Sequence, residues 1–257
     1  HVKRHSFPTR RSSDLKFGGL TAVKNMDMTV EKGKIHSLIG PNGAGKTTLF
    51  NVITRVINPV EGEVYYKGEP LIKLSAEEII SRKISRTFQN LQLFNGMNVY
   101  ENIYSGYVNN YKKGIFSVLL KKNKNFDSET REKILYVSEL LQIKNRLGSY
   151  PSQLSYGLLK RVEIARALIS DPDLLLFDEP AAGLNHTETS EVEDIFELVN
   201  RQGKTILLVE HDMALVMKVS DKITVMSFGE KIAEGTPAEV ANDPQVIRVY
   251  LGEREDA

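Results

Sequence analysis

Gly40-Pro41-Asn42-Gly43-Ala44-Gly45-Lys46-Thr47-Thr48 lies between an apolar run, Ile35 to Ile39, and a helix-compatible one, Leu49 to Ile53. A strand before and a helix after are the context that a phosphate-binding loop requires. The glycines let backbone N–H groups converge on an anion, and the N-terminus of the helix adds its partial positive charge. The loop predicts binding of a nucleoside triphosphate, with Lys46 reaching the β- and γ-phosphates and the Thr47 hydroxyl ligating Mg2+. Kinases and switch GTPases share such a loop, so it settles the fold before the activity.

Outward from the loop, Leu174 to Phe177, Thr205 to Val209 and Ile223 to Met226 are apolar throughout or nearly so, as Ile35 to Ile39 is. That pattern belongs to strands covered on both faces. It predicts an α/β fold, a P-loop NTPase (RecA-like) core with a mainly parallel sheet. Val64 to Tyr66 and Lys231 to Ala233 sit beside glycines and predict short antiparallel pieces at the periphery. Between roughly Asn90 and Ala167 the pattern turns helical: Glu129 and Lys133 form a favourable i,i+4 pair, and Ile134, Val137 and Leu141 fall on one face. The expected division is an α/β core over 16–89 and 166–257, with a helical subdomain inserted over 90–165. Ser75 and Glu78 have the spacing of a capping box and predict a short helix after them.

Leu174-Leu-Leu-Phe-Asp178-Glu179-Pro180 ends a buried strand with two adjacent acids. Consecutive strand residues face opposite ways, so the two carboxylates can take different tasks. Asp178 is assigned to the Mg2+ shell and Glu179 to the attacking water as general base. His211, just beyond the strand Thr205 to Val209, is placed to contact the γ-phosphate and position that water.

Composition narrows the partners. With 34 basic residues against 33 acidic ones the net charge is +1, which gives no excess positive field for a nucleic-acid backbone. No cysteine is present, so there is neither a disulfide framework nor a thiolate metal site. No apolar run nears the roughly twenty residues that cross a bilayer; a membrane would be met through a partner.

Leu154-Ser155-Tyr156-Gly157 leads into Val162-Glu-Ile-Ala-Arg-Ala-Leu168 and puts Ser155 at a helix N-terminus. Upstream of an acid-pair strand, this segment resembles the ABC ATPase signature. With KFGGLTAV, RTFQNLQLF, DEPAAGLN, LVEHDMALVM and VIRVYLGE, the chain from Lys16 onward resembles the ATPase subunits of high-affinity branched-chain amino-acid and amide importers. The resemblance implies ATP with Mg2+ as cofactors, Phe17 stacked on adenine, Gln89 sensing Mg2+ and the attacking water, and Asn185 in the loop linking two active sites. It implies that two subunits bind head to tail, so that Ser155 and Gly157 of one reach the γ-phosphate held by the other. Two membrane permeases meeting the helical subdomain, a substrate-binding protein acting through them, and a place on the cytoplasmic face of the membrane complete the expectation.

Some positions depart from the family pattern. Leu158 stands where the signature usually has Gln, and Arg55 and Lys83 where relatives commonly have Gly, a loss of convenient left-handed terminators. His5 to Leu15, HSFPTRRSSDL, resembles a translated sequencing adapter, so residues 1–15 are expected to be an artefactual or disordered leader that replaces a strand. The rivals are a lipopolysaccharide-export ATPase, a soluble ABC ATPase acting on DNA or the ribosome, and a non-hydrolysing regulatory cassette suggested by Leu158.

Overall fold

The structure, a computed structural model, describes residues 15–17, 20–23, 26–59, 61–87, 91–108 and 124–251. Strands β1 (Leu15–Phe17) and β2 (Leu20–Val23) form an antiparallel pair. Leu15 pairs with Val23, so the first strand begins one residue inside the segment expected to be a leader. Next come β3 (Ile35–Ile39), α1 (Lys46–Ile53) and the two-residue strands β4 (Tyr65–Tyr66) and β5 (Glu69–Pro70), which pair with each other. Helix α2 (Ala76–Ser81) starts from the expected capping box, the Ser75 N–H donating to Glu78 Oε2 at 2.8 Å. Strand β6 (Ile84–Arg86) follows, then helices α3 (Val99–Val108), α4 (Lys124–Leu140) and α5 (Tyr156–Leu168). The chain closes through β7 (Leu174–Asp178), α6 (His186–Arg201), β8 (Thr205–Val209), α7 (Met213–Val219), β9 (Lys222–Ser227), β10 (Glu230–Gly235), α8 (Pro237–Ala241) and α9 (Pro244–Leu251).

The main sheet has the order β10-β9-β3-β8-β7-β6, parallel except for β10. Lys231 to Ala233 is thus antiparallel and peripheral as expected, at the edge of this sheet. Strand β6 escapes the apolar criterion because it is three residues long with Ser85 at its centre.

The unbroken apolar strands are covered on both sides. Leu175, Phe177, Ile206 and Leu208 pack with the helices α3 to α6, while Leu174, Leu176, Leu207 and Val209 pack with α1 and the β4 region. Phe177 and Phe196 have ring centroids 4.9 Å apart, and full burial of such a side chain stabilises the fold by about 2 kcal/mol. Ile134, Val137 and Leu141 are buried, and Lys133 donates to Glu129 at 2.7 Å on the exposed flank of α4. Gly106 lets α3 lie against α5, because a Cβ there would stand 2.1 Å from the Arg166 carbonyl oxygen.

Arg55 and Lys83 end α1 and α2 with φ of 60° and 62°. Their backbone N–H groups close the last turns onto Val52 and Ile80, in a conformation that costs a non-glycine residue roughly 1 kcal/mol.

His36 is buried on β3, with Nε2 2.7 Å from Thr224 Oγ1, which in turn donates to Glu234 Oε2. Burial pushes its pKa down to about 4, against a weaker upward pull from Glu234. The unfolded chain takes up this proton near pH 6.5, as an unperturbed histidine does, and the folded chain resists it. The stability is therefore full above that pH and is lost as the pH falls toward 4. Urea titrations are expected to find about 2 kcal/mol less stability at pH 5 than at pH 7 from this residue. His36→Gln should remove that part of the slope; an unchanged slope would contradict the assignment.

Candidate nucleotide-binding and hydrolysis site

Register aligns the carboxyl ends of the central strands. Leu38 pairs with Val209, Ile39 with Val225 and Asp178 with Val209. The segments that follow these strands therefore emerge at one edge, where open parallel sheets bind ligands.

The loop after β3 turns on glycines. Gly40, Gly43 and Gly45 have φ of 151°, 80° and 102°, and a Cβ on Gly40 would lie 2.1 Å from the Met226 carbonyl oxygen. The Ala44 N–H donates to Pro41 O at 3.2 Å, and Asn42 and Gly43 are exposed. Gly45 caps α1, whose first turn carries no acid, so its N–H groups and dipole end face the loop without competition. Lys46 is buried, and its ammonium donates to Gly40 O at 2.7 Å and Pro41 O at 3.1 Å. Burial lowers its pKa, and the nearby charges of Glu179 and Asp178 pull the other way. An incoming phosphate would supply the anion that this ammonium lacks. Thr47 is exposed and Thr48 half-buried at the start of the helix.

Asp178 ends β7 fully inside, with Oδ2 2.8 Å from the Arg86 guanidinium and Oδ1 buried without a hydrogen-bond partner. Glu179 is held at φ 51°, its N–H donating to Val209 O at 2.8 Å. Such a left-handed glutamate stores strain of order 1–3 kcal/mol, and strain of this kind gathers at functional sites. Glu179 Oε1 lies 2.8 Å from His211 Nε2. The contact fixes where the carboxylate points, as a group that is to take a proton from water requires.

Among the described residues no group of three or more His, Asp or Glu could hold a metal by itself. Mg2+ prefers one or two carboxylates together with waters and phosphate oxygens. The orphaned Asp178 Oδ1 and the exposed Thr47 hydroxyl fit that role once a nucleotide is present.

Ser155 caps α5, its Oγ accepting from the Leu158 N–H at 3.4 Å. Leu158 packs against the helical core. Asn185 caps α6, exchanging hydrogen bonds with Glu188 at 3.0 and 3.1 Å. A Cβ on Gly157 would come 2.7 Å from Glu188 Oε1, so Ser155, Gly157 and Asn185 form one neighbourhood. Phe17 lies on β1, and its side chain falls outside what the structure describes, as does Gln89.

The sequence profile described as ABC transporter matches residues 23–182. The chain belongs to the ABC transporter family. A second profile, described as branched-chain amino acid ATP-binding cassette transporter, matches 230–256 of this ABC ATPase. The LivG high-affinity branched-chain amino acid transport ATP-binding protein of Salmonella typhimurium is 43% identical, over 93% of this chain and 95% of its own length. A probable LivG protein of Archaeoglobus fulgidus is 36% identical over 93% of each. Among solved structures, an ATP-binding cassette in its ADP conformation superposes with a TM-score of 0.85 at 32% identity, covering 97% of this chain and all of that one. A dimeric cassette in a post-hydrolysis state, bound to ADP and Pi, gives 0.75 at 26% identity, covering 91% and 99%.

Two further residues of this cassette belong with the site. Arg86 on β6 holds Asp178, Asn51 and Thr54 together. Glu210 is buried and accepts from the N–H groups of Ala181 at 2.7 Å and His211 at 2.9 Å, tying the turn after Glu179 to the turn carrying His211. Burial raises its pKa, opposed by those backbone donors. The signal for Glu210 was a charged residue directly after a buried strand, which propensity alone reads as a strand end, while Arg86 lies on a strand of three residues with no apolar run to mark it.

Proposed function

We propose that this ABC ATPase drives an importer for branched-chain amino acids or related amides, as one of a pair of ATPase subunits on the cytoplasmic face of the membrane. Two permeases and, through them, a substrate-binding protein are its partners. The observation that carries the cargo class is the match of 230–256 to the branched-chain amino acid cassette profile, supported by relatives named for branched-chain amino acid transport and matched along nearly their whole length. The rival readings as an exporter or a nucleic-acid machine find no such support. No described helix is long and apolar enough to cross a membrane, which fits a subunit that meets the bilayer through permeases. Phe94 and Met97, exposed at the entrance to α3, present apolar contacts on the helical part, 90–165, that we assign to the permease side.

Within the site, the amides of 40–48 and Lys46 grip the phosphates, and Thr47, Asp178 and Gln89 would hold Mg2+, which when bound would neutralise phosphate charge. Glu179 takes the proton of the attacking water, His211 orients that water, and Phe17 stacks on adenine. Ser155 and Gly157 of one subunit complete the site of the other, and Asn185 links the two. Catalysis is mostly positioning and charge neutralisation, as in other phosphoryl transfers.

The test is uptake. Membrane vesicles carrying this chain assembled with two partner permeases, and the cognate binding protein, are expected to accumulate labelled leucine or a short amide only with ATP on the cytoplasmic side. ATP-dependent movement of a lipid outward, with no uptake of either cargo, would overturn the importer reading.

A further inference from the structure

Arg86 and Asp178 are the most deeply buried ion pair at the site, with side chains 8% and 1% exposed and Nη2 2.8 Å from Oδ2. The guanidinium is not free to leave casually. Its other end donates to Asn51 Oδ1 at 2.7 Å and Thr54 Oγ1 at 3.1 Å, on the helix that follows the phosphate loop and at its C-cap, and its Cζ lies 5.5 Å from the centroid of the Phe50 ring. Only one carboxylate oxygen is used by this contact. Oδ1 is buried and has no partner, so the pair compensates the charge of Asp178 while leaving one oxygen for a second cation.

A buried carboxylate without compensation is costly, and breaking such a pair on one side is strongly destabilising. A nucleotide-driven ATPase must pass through a state without nucleotide in every cycle. We propose that Arg86 is a positioning residue that stands in for Mg2+ at Asp178 when nucleotide is absent, and that its charge weakens the hold on the metal so that Mg2+ leaves with the product. This rests on the assignment of Asp178 to the Mg2+ shell. Two cations sharing one carboxylate repel each other even through a water-like dielectric, enough for roughly a tenfold effect on the affinity of the weaker-held one.

The experiment compares wild type with Arg86→Gln, both in a Glu179→Gln background that does not turn over, and reads binding and melting. Nucleotide affinity is titrated against Mg2+, and melting temperature is recorded in EDTA and in saturating Mg·ATP. For Arg86→Gln the Mg2+ half-saturation is expected to fall roughly tenfold, and the loss in melting temperature in EDTA should be largely recovered with Mg·ATP. An equal loss under both conditions, or an unmoved or higher Mg2+ half-saturation, would overturn the stand-in role. Arg86→Lys keeps the charge but not the fork to Asn51 and Thr54. It is expected to retain the wild-type Mg2+ half-saturation even if Arg86→Gln does not fold, and a tenfold fall there would equally refute the charge argument. Nucleotide binding indifferent to Mg2+ in the Arg86-containing protein would remove the metal assignment itself, whereas Mg2+ dependence that Arg86→Gln leaves untouched removes only this inference.

Discussion

Glu179→Gln is expected to bind ATP as tightly as wild type, to lower phosphate release at least a hundredfold, and to accumulate as a closed dimer in the presence of Mg·ATP. The amide is isosteric, so the 2.8 Å contact with His211 Nε2 and the backbone bond to Val209 can persist. What is lost is a proton acceptor, and general-base catalysis is worth about 10²–10⁴ in rate. The geometry and the left-handed backbone at φ 51° are unaffected by the exchange, so the effect falls on turnover and spares binding. Size-exclusion chromatography with ATP separates dimer from monomer, and a phosphate assay reads the rate. Turnover near the wild-type level would transfer the base role to another group, and His211 would be the first to test.

Lys46→Ala acts one step earlier. The ammonium now rests on two carbonyls, Gly40 O and Pro41 O, in a buried position that already lowers its pKa. Exchanging those neutral partners for phosphate oxygens makes charge-assisted bonds, worth about 1.5–3 kcal/mol each. Loss of one or two such bonds is expected to weaken ATP binding roughly a hundredfold, with turnover lost in proportion. Stability should fall little, because a desolvated charge goes along with its contacts. Isothermal titration with ATP checks the first claim and urea unfolding the second. Unchanged affinity would count against the loop as the phosphate grip.

The contrast between the two variants separates grip from chemistry. One leaves binding and removes turnover; the other removes binding. A chain in which both behaved alike would have a loop and an acid pair serving a single structural purpose, and the convergence of β3, β7 and β8 at one edge would be incidental.

How much of this was legible beforehand follows from the physics of each signal. Strands β3 and β8 stood out because burial on both faces demands unbroken apolar runs, and their bounds coincide with Ile35–Ile39 and Thr205–Val209. The capping box at Ser75 and the Glu129–Lys133 pair were readable because they depend on fixed local spacing. Strand β6 was not, since a three-residue strand carries too little pattern, and with it Arg86 was passed over although it touches Asp178. Glu210 escaped for a related reason. Its partners are backbone N–H groups of Ala181 and His211, one of them far along the chain, and no local pattern announces a bond made by topology. The loss of glycine at Arg55 and Lys83 was legible, and the positive φ at both supplies the physical consequence. The roles of Phe17 and Gln89 came from resemblance to the family and lie outside the side chains the structure describes.

The most direct single measurement is phosphate release from Mg·ATP by the purified chain assembled with its permeases. Mg2+-dependent release that Glu179→Gln abolishes is the predicted result. An assembled complex that neither retains ATP nor cleaves it would contradict the account from the loop at Gly40 onward.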